Sequence, residues 1–317
     1  MNQILQQNSE SLKVHSVQVC PLCEGPRVRA RFEVRHVLDD PAHSFALELG
    51  LSTATILECR ECGFLFKNIQ PPAAYVHKHY TNSGERYLES IAEEDEGIRE
   101  DFRAARQLLR KGFPGGGSIL DIGCASGFFL ESLGNTWNRY GLELSSLAAL
   151  RARERAGIIV HEGDIGSARF ADNSFDVVSS FDVLEHLSKP MPTFSEVRRV
   201  LKPGGWFLMG TGDVGSFTAR AAGSRWTYMC IPEHLSFFSS RSLRKALGRA
   251  EFSQTDFKRI HHGERNRAAA TGWMRAVGKH WAVTLFGDDI RQLRFFRQKS
   301  GEFLVPYFFD HMICIAR

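Results

Sequence analysis

The chain has 317 residues, of which 43% are apolar and 24% are charged, and its formal net charge is +4 at neutral pH. This length suits two domains and this apolar content supports a sizeable core, whereas the small net charge does not by itself argue for a nucleic-acid partner. The sequence contains no run of eighteen apolar residues, so no transmembrane helix is predicted. The first eight residues lack the basic start and apolar core of a signal peptide. We therefore expect a cytoplasmic protein.

Two pairs of cysteines follow a lead, residues 1–19, that we expect to be flexible. Both pairs have C-x-x-C spacing and together supply the four thiolates of a tetrahedral structural zinc site: Cys20, Cys23, Cys59 and Cys62. The 35 residues between the pairs exceed the roughly 15–20 of a compact site. Strands at Arg31–Asp40 and Thr53–Leu57 are therefore predicted inside a stretched zinc ribbon, residues 20–70. A redox pair and unliganded core cysteines are the alternatives.

Residues 71–117 are predicted to form a linker and an N-terminal helical cap. The Pro71-Pro72 pair marks the exit from the ribbon. The run from Ile91 to Lys111 predicts a helix that is acidic at its start and basic at its end, as the helix dipole favours. Pro114–Gly117 then breaks the chain before the first core strand.

A strand, a glycine loop and a helix follow from Ser118. The strand ends near an acid, Asp121, and Gly123 and Gly127 let the backbone approach a ligand closely and turn sharply into a helix. A second strand, Arg139–Glu143, also ends in an acid, whose carboxylate can accept from two ribose hydroxyls. These features predict a nucleoside pocket, while the spacing differs from that of dinucleotide and Walker-type phosphate loops.

Three further strands continue this pattern. His161–Asp164 predicts a third strand, whose terminal acid can accept from an adenine amino group. Ser174–Leu187 predicts a fourth strand running into a helix, and Leu201–Gly210 predicts a turn and a fifth strand.

The C-terminal part of the chain predicts one helix and the last two strands. The helix runs from Arg241 to Ala250, with Ser240 as its N-cap, and the strands are Phe252–Ile260 and Tyr307–Ala316.

A basic insertion, residues 266–302, separates those strands. Its apolar residues recur every four positions, which marks one helix face: Trp273, Val277, Trp281 and Leu285. Residues 241–317 hold 15 Lys/Arg against 7 Asp/Glu, so this third of the chain either faces an anionic partner or forms solvated helix faces. A lid or packing helix is favoured over peripheral membrane contact through residues 270–298.

In this order, the motifs of residues 100–260 resemble those of class I S-adenosylmethionine-dependent methyltransferases. The resemblance implies an α/β fold over residues 118–317, a doubly wound, mostly parallel seven-stranded Rossmann-like sheet, preceded here by the small zinc ribbon. It implies that Glu143 binds the ribose and that Phe181 lies near the sulfonium. The remaining pocket residues line the methionine, ribose and adenine: Asp121, Gly123, Ala125, Gly127, Leu144, Asp164 and Ile165. A doubly wound domain that binds another nucleotide, or none, is the alternative.

The catalytic base is expected in loops at the carboxyl ends of the strands. The segment Pro232–Ser239 resembles one in deoxysugar C-methyltransferases, which also carry an N-terminal four-cysteine zinc module. That resemblance implies Glu233 and His234 as acid/base residues, helped by an N-terminal tyrosine, either Tyr80 or Tyr87.

Other readings of these positions stay open. His186, which follows Glu185, and Asp182, which follows Phe181, are further candidates for the base or for orienting the acceptor. His234 can alternatively only cap a loop by hydrogen bonding.

The sequence thus predicts an enzyme with two cofactors, S-adenosylmethionine and structural Zn²⁺. It would methylate a small polar acceptor, such as a sugar or a natural-product or polysaccharide precursor. The first alternative is an RNA methyltransferase that uses the zinc ribbon as its reader, although the ribbon shows no interleaving of basic and aromatic residues. The second is a non-catalytic, cofactor-binding scaffold.

Overall fold

A computed structural model describes five segments of the chain: residues 15–37, 50–71, 73–81, 99–260 and 310–317. The predicted insertion at residues 266–302 and Tyr87 lie outside these segments. Within them, no helix is both long and apolar enough to cross a membrane.

Five short strands form the N-terminal part of the structure. They are β1 (His15–Ser16), β2 (Val28–Arg35), β3 (Thr53–Cys59), β4 (Leu65–Lys67) and β5 (Ile69–Gln70). Strands β2, β3 and β4 form an antiparallel sheet, and β1 pairs with β5. The predicted flexible lead, residues 1–19, is therefore wrong from His15 onward, and β2 starts three residues before the predicted Arg31.

The central sheet has seven strands. In chain order they are β6 (Gly117–Ile122), β7 (Trp137–Glu143), β8 (Ile158–Glu162), β9 (Phe175–Phe181), β10 (Leu201–Gly212), β12 (Thr255–Ile260) and β13 (His311–Ala316). Their order across the sheet is β12-β13-β10-β9-β6-β7-β8. β13 runs opposite to the other six strands of this sheet. The predicted mostly parallel, seven-stranded fold is confirmed.

Helices cover both faces of this sheet. The α-helices of the described residues are α1 (Ala73–Thr81), α2 (Glu100–Gly112), α3 (Phe128–Ser132), α4 (Ser146–Arg153), α5 (Pro190–Val200), α6 (Phe217–Ala222), α7 (Thr227–Cys230) and α8 (Ser240–Arg249). Residues of α6 and α7 pack instead against strands of the ribbon. Successive side chains of a strand point to opposite faces. Accordingly, Ile119 and Val177 pack with residues of α2, α3 and α4, whereas Leu120 and Val178 pack with residues of α5 and α8.

A two-residue strand, β11 (Ser236–Phe237), adds a fourth strand to the ribbon sheet. It pairs antiparallel with β4, which gives the four-stranded order β11-β4-β3-β2. Because β11 belongs to the chain segment after β10, the ribbon sheet contains a strand from the C-terminal part of the chain.

Several predicted boundaries shift by a few residues. The third strand, β8, ends at Glu162 rather than at Asp164, because Gly163 leaves the extended conformation with a φ of 131°. The helix predicted from Ile91 is described only from Glu100, since residues 82–98 lie outside the described segments. The last two strands begin at Thr255 and His311.

The N-cap of α8 is Ser239, one residue before the predicted Ser240. The Ser239 hydroxyl accepts from the amide of Ser242 at 3.1 Å, and the Ser242 hydroxyl accepts from the amide of Ser239 at 2.9 Å. Two amides at the helix start are thereby satisfied reciprocally.

Replacing Ser239 by alanine is expected to lower the free energy of unfolding by about 1 kcal/mol, the usual effect of losing a serine N-cap. Ser240→Ala is the matched control, because Ser240 already lies inside the helix. Urea denaturation of both variants measures the difference. A larger loss in Ser240→Ala would contradict the assignment of the cap.

Candidate active site and metal centre

The loop between β6 and α3 turns sharply at the carboxyl edge of the sheet. The amides of Gly123 and Cys124 both donate to the Leu142 carbonyl, at 2.8 and 3.0 Å. Gly123 has a φ of 71°, and a Cβ there would lie 2.4 Å from a methyl group of Val183. Gly127, with a φ of 80°, precedes the first turn of α3. The glycines therefore permit a backbone path that a side chain would obstruct.

Glu143 stands at the end of β7, next to this loop. It is 4% exposed, and its two oxygens accept from the amides of Ala125 at 2.9 Å and Ser145 at 2.8 Å. Burial raises the pKa of Glu143, while these amides act in the opposite direction. Each carboxylate oxygen retains a second lone pair for a ligand hydroxyl.

The other predicted pocket residues occupy different environments. Asp164 is exposed just beyond β8 and accepts from the Ser167 amide at 2.7 Å. Ile165 is buried in the core and Leu144 is half-buried. Asp121 is 3% exposed and accepts from the Ser179 hydroxyl at 2.7 Å.

Phe181, at the end of β9, packs inside an aromatic cluster. Its ring makes edge contacts with Phe102 and Phe129, at centroid distances of 5.2 and 4.8 Å. The next residue, Asp182, has a φ of 52° and forms an ion pair with Arg99, which also pairs with Asp101. Asp182 is thus engaged by a cation at the sheet edge.

Two histidines and a tyrosine meet beside β9 and β10. The rings of His186 and His234 are perpendicular, with centroids 4.8 Å apart. The Tyr80 hydroxyl lies 2.8 Å from His186 Nδ1, and His234 Nδ1 lies 2.8 Å from the Tyr228 carbonyl oxygen. Because a carbonyl only accepts, His234 Nδ1 carries the proton and neutral His234 has its lone pair on Nε2. Burial is the main reason that the pKa of His234 is well below its usual value.

Glu185 and Glu233 add two buried carboxyl groups to this cluster. The Glu185 Oε2 atom accepts from the Thr211 hydroxyl at 2.9 Å, and burial raises the pKa of Glu185 to about 7. Glu233 is 7% exposed and lies within electrostatic range of Lys67. A narrow crevice opens here, lined by Val76, His79, Tyr80, His186, Glu233 and Leu235.

Sequence reasoning missed the aromatic support behind His234. The Tyr228 ring stacks on Trp226 and lies 4.2 Å from the His234 ring, centroid to centroid. The Asp310 carboxylate accepts from the Trp226 indole at 2.6 Å and contacts His311 Nδ1 at 3.0 Å. Asp310 lies 84 positions after Trp226, so no local motif joins the two.

The part of the chain that holds the glycine loop, Glu143 and His186 matches a known protein family. Residues 95–255, half of the chain, match the family described as "Methyltransferase domain". The chain belongs to this methyltransferase family. It is an S-adenosylmethionine-dependent methyltransferase, as the similar proteins also indicate.

Relatives of this methyltransferase are distant. A Mycolicibacterium smegmatis protein named a probable S-adenosylmethionine-dependent methyltransferase is 28% identical over 183 residues, which cover 57% of this chain and 68% of that protein. The ubiquinone biosynthesis O-methyltransferase of Paraburkholderia xenovorans is 29% identical over 128 residues, which cover 37% of this chain. The match spans 55% of that enzyme's length.

Solved structures share the fold at lower identity. A chain in the Haloferax volcanii complex that contains the methyltransferase activator Trm112 has a TM-score of 0.51 and 21% identity. The match covers 72% of this methyltransferase and 94% of that chain. At this identity the similarity concerns the fold alone.

The glycine loop and Glu143 fit S-adenosylmethionine. The loop leaves room where a Cβ at position 123 would collide with Val183, and the acid at the end of β7 can accept from ribose hydroxyls. The cofactor, when bound, supplies an electrophilic methyl group.

The four ribbon cysteines of the methyltransferase come together. Their sulfur atoms all lie within 4.8 Å of one another, with Cys20 and Cys62 separated by 3.6 Å and Cys23 and Cys59 by 3.5 Å. A hydrogen bond from Cys20 lowers the pKa of Cys62 to about 5, and the Glu61 amide lies 3.4 Å from the Cys59 sulfur. A tetrahedral set of four thiolates fits a structural zinc ion.

Proposed function

We propose that this methyltransferase methylates a small polar acceptor, a sugar or a natural-product or polysaccharide precursor, with His234 as general base. The observation that carries the proposal is the fixed tautomer of His234, whose Nδ1–H donates to the Tyr228 carbonyl and leaves Nε2 as the acceptor. The acceptor class is supported by the resemblance of Pro232–Ser239 to deoxysugar C-methyltransferases.

Burial suits His234 to this role. The acceptor atom must lose a proton as it takes the methyl group, and a base works only in its unprotonated form. Because desolvation lowers the pKa of His234, its imidazole is neutral at pH 7. The nearby imidazole of His186 also disfavours a charge on His234.

For the tyrosine of the site we propose Tyr80, and Tyr87, which lies outside the described residues, stays the alternative. The Tyr80 hydroxyl lies 2.8 Å from His186 Nδ1 and its ring makes an edge contact with that imidazole. We assign Tyr80 and His186 to orienting the acceptor, with Glu233 as a further acid/base residue at the cleft. Glu185 has a buried Oε1 without a hydrogen-bond partner among the described residues, and we assign it to an acceptor hydroxyl.

For the cofactor, we propose the assignment that the sequence implies. Glu143 binds the ribose hydroxyls, and the loop from Asp121 to Gly127, including Ala125, faces the methionine and ribose. Asp164, Ile165 and Leu144 form the adenine side. Phe181 places an aromatic wall near the sulfonium, although much of its ring is occupied by Phe102 and Phe129.

Glu143→Gln is expected to weaken S-adenosylhomocysteine binding about tenfold or more, because hydrogen bonds to a charged acceptor contribute roughly 1.5–3 kcal/mol. Glu162→Gln is the matched control, since Glu162 lies at the end of the neighbouring strand and pairs with Arg153 at the surface. Calorimetric titration measures both affinities. Equal affinities in the two variants would remove Glu143 from the pocket.

We propose that the cysteine cluster holds one structural Zn²⁺. Elemental analysis is expected to find one zinc per chain, and Cys59→Ser is expected to lose it, because a hydroxyl is a poor replacement for a thiolate ligand. Cys230→Ser is the control, since the Cys230 thiol instead contacts the carbonyls of Ser224 and Trp226. Full zinc content in Cys59→Ser would contradict the assignment.

His234→Gln is expected to reduce the transfer rate by roughly 10²–10⁴-fold, the usual contribution of a general base. Glutamine keeps an N–H donor for the Tyr228 carbonyl, and S-adenosylhomocysteine affinity should stay unchanged. His161→Gln is the control, because His161 is exposed on β8. Radiolabelled methyl transfer to a panel of nucleotide-linked sugars measures the rates, and normal turnover by His234→Gln would refute the base assignment.

A further inference from the structure

Lys67 is a fully buried lysine at the end of β4, with 1% of its surface exposed. Its ammonium nitrogen donates to the carbonyl oxygens of Ile231 at 2.6 Å and Pro232 at 3.2 Å. These two residues come directly before Glu233 and His234. A side chain of the cysteine ribbon therefore holds the main chain that presents the proposed base.

A hydrogen bond within the turn uses one of the two carbonyls that Lys67 contacts. The Ile231 carbonyl also accepts from the His234 amide at 3.2 Å, so one oxygen receives both the Lys67 ammonium and the residue that carries the base. Beyond the turn, the Lys67 amide donates to the Leu235 carbonyl at 2.9 Å. Hydrogen bonds from Lys67 thus hold the main chain on both sides of Glu233 and His234.

Burying this lysine has a free-energy cost that its partners offset. Desolvation lowers the pKa of Lys67 to about 7, whereas the charge of Glu233 acts to raise it. A lysine is seldom fully buried unless it is paired. Two carbonyl dipoles and one acid at the proposed cleft provide that pairing, so the charge of Lys67 and the geometry of the turn stabilise each other.

We propose that Lys67 is a positioning residue for the reaction, through which the cysteine ribbon fixes the turn carrying Glu233 and His234. This inference rests on the proposed function in assigning the base to His234. It gives the ribbon a role in the active site, as the wall that supports the turn behind the base.

Lys245 provides a matched control on the same interface. Its ammonium, on α8, donates to the Glu61 carbonyl at 2.9 Å. It also joins the ribbon to the rest of the chain through a lysine–carbonyl hydrogen bond, but it is exposed. A general effect of weakening the ribbon interface would appear in Lys245→Met as well as in Lys67→Met.

The test compares zinc-loaded, full-length Lys67→Met and Lys245→Met with the wild type by hydrogen–deuterium exchange mass spectrometry. In Lys67→Met, we expect amide exchange in peptides spanning residues 228–237 to accelerate about tenfold or more, as loss of a charge-assisted hydrogen bond implies. Exchange in residues 118–143, zinc content and S-adenosylhomocysteine affinity should stay at wild-type values. Lys245→Met should match the wild type throughout.

Kinetics with an acceptor found among nucleotide-linked sugars provides the second measurement. We expect Lys67→Met to lower kcat about tenfold or more, with an unchanged KM for S-adenosylmethionine, because only the base is displaced. Absence of transfer by the wild type would count against the proposed function and leave the exchange measurement to decide on Lys67.

Wild-type exchange in residues 228–237 of Lys67→Met, or the same acceleration in Lys245→Met, would overturn the inference. If Lys67→Met fails to fold, Lys67→Gln replaces it, because the glutamine amide retains a neutral donor in the buried site. Lys67→Gln is expected to show a smaller acceleration confined to the same peptides, and no acceleration would again overturn the proposal.

Discussion

The pairing of β4 with β11 is the constraint on which the position of the turn carrying Glu233 and His234 depends. It places Phe66 opposite Ser236 and Leu65 opposite Phe237, so that the ribbon sheet continues into the segment immediately after His234. Apolar packing reinforces the seam, since the buried ring of Phe64 lies 4.9 Å from that of Phe238. Moving the ribbon would therefore require breaking a sheet and opening a core.

Burial at this seam determines the charge states that the chemistry can use. Desolvation favours the neutral form of every titratable group, and it acts here on an imidazole and a carboxyl group that lie close together. The pKa of His234 falls while that of Glu185 rises to about 7. Both shifts favour the neutral forms of these two side chains. Water-filled surroundings would leave the same residues with ordinary pKa values and weaker hydrogen bonds.

Local patterns explain what could be predicted from the sequence. The glycine loop, Glu143 and the two cysteine pairs each lie in a short motif whose spacing itself determines the geometry. The contacts of Lys67 with Ile231 and of Tyr80 with His186 join residues 164 and 106 positions apart, so no local pattern records them. The predicted N-cap of α8 was wrong for a different reason. Ser239 and Ser240 are adjacent and chemically equivalent, and only the backbone conformation selects between them.

The strand order places the glycine loop with Glu143 and the histidine pair on different sides of one point in the sheet. The chain runs from β6 outward to β7 and β8, then returns to β9 on the other side of β6, so the switch point lies between β6 and β9. The glycine loop and Glu143 follow strands on one side of that point, whereas His186 and His234 follow strands on the other. Ligands of open α/β sheets bind at such switch points. Among the described residues, the ribbon pairs through β11 with the segment that follows β10, so we expect changes in the ribbon to act first on the turn that carries His234.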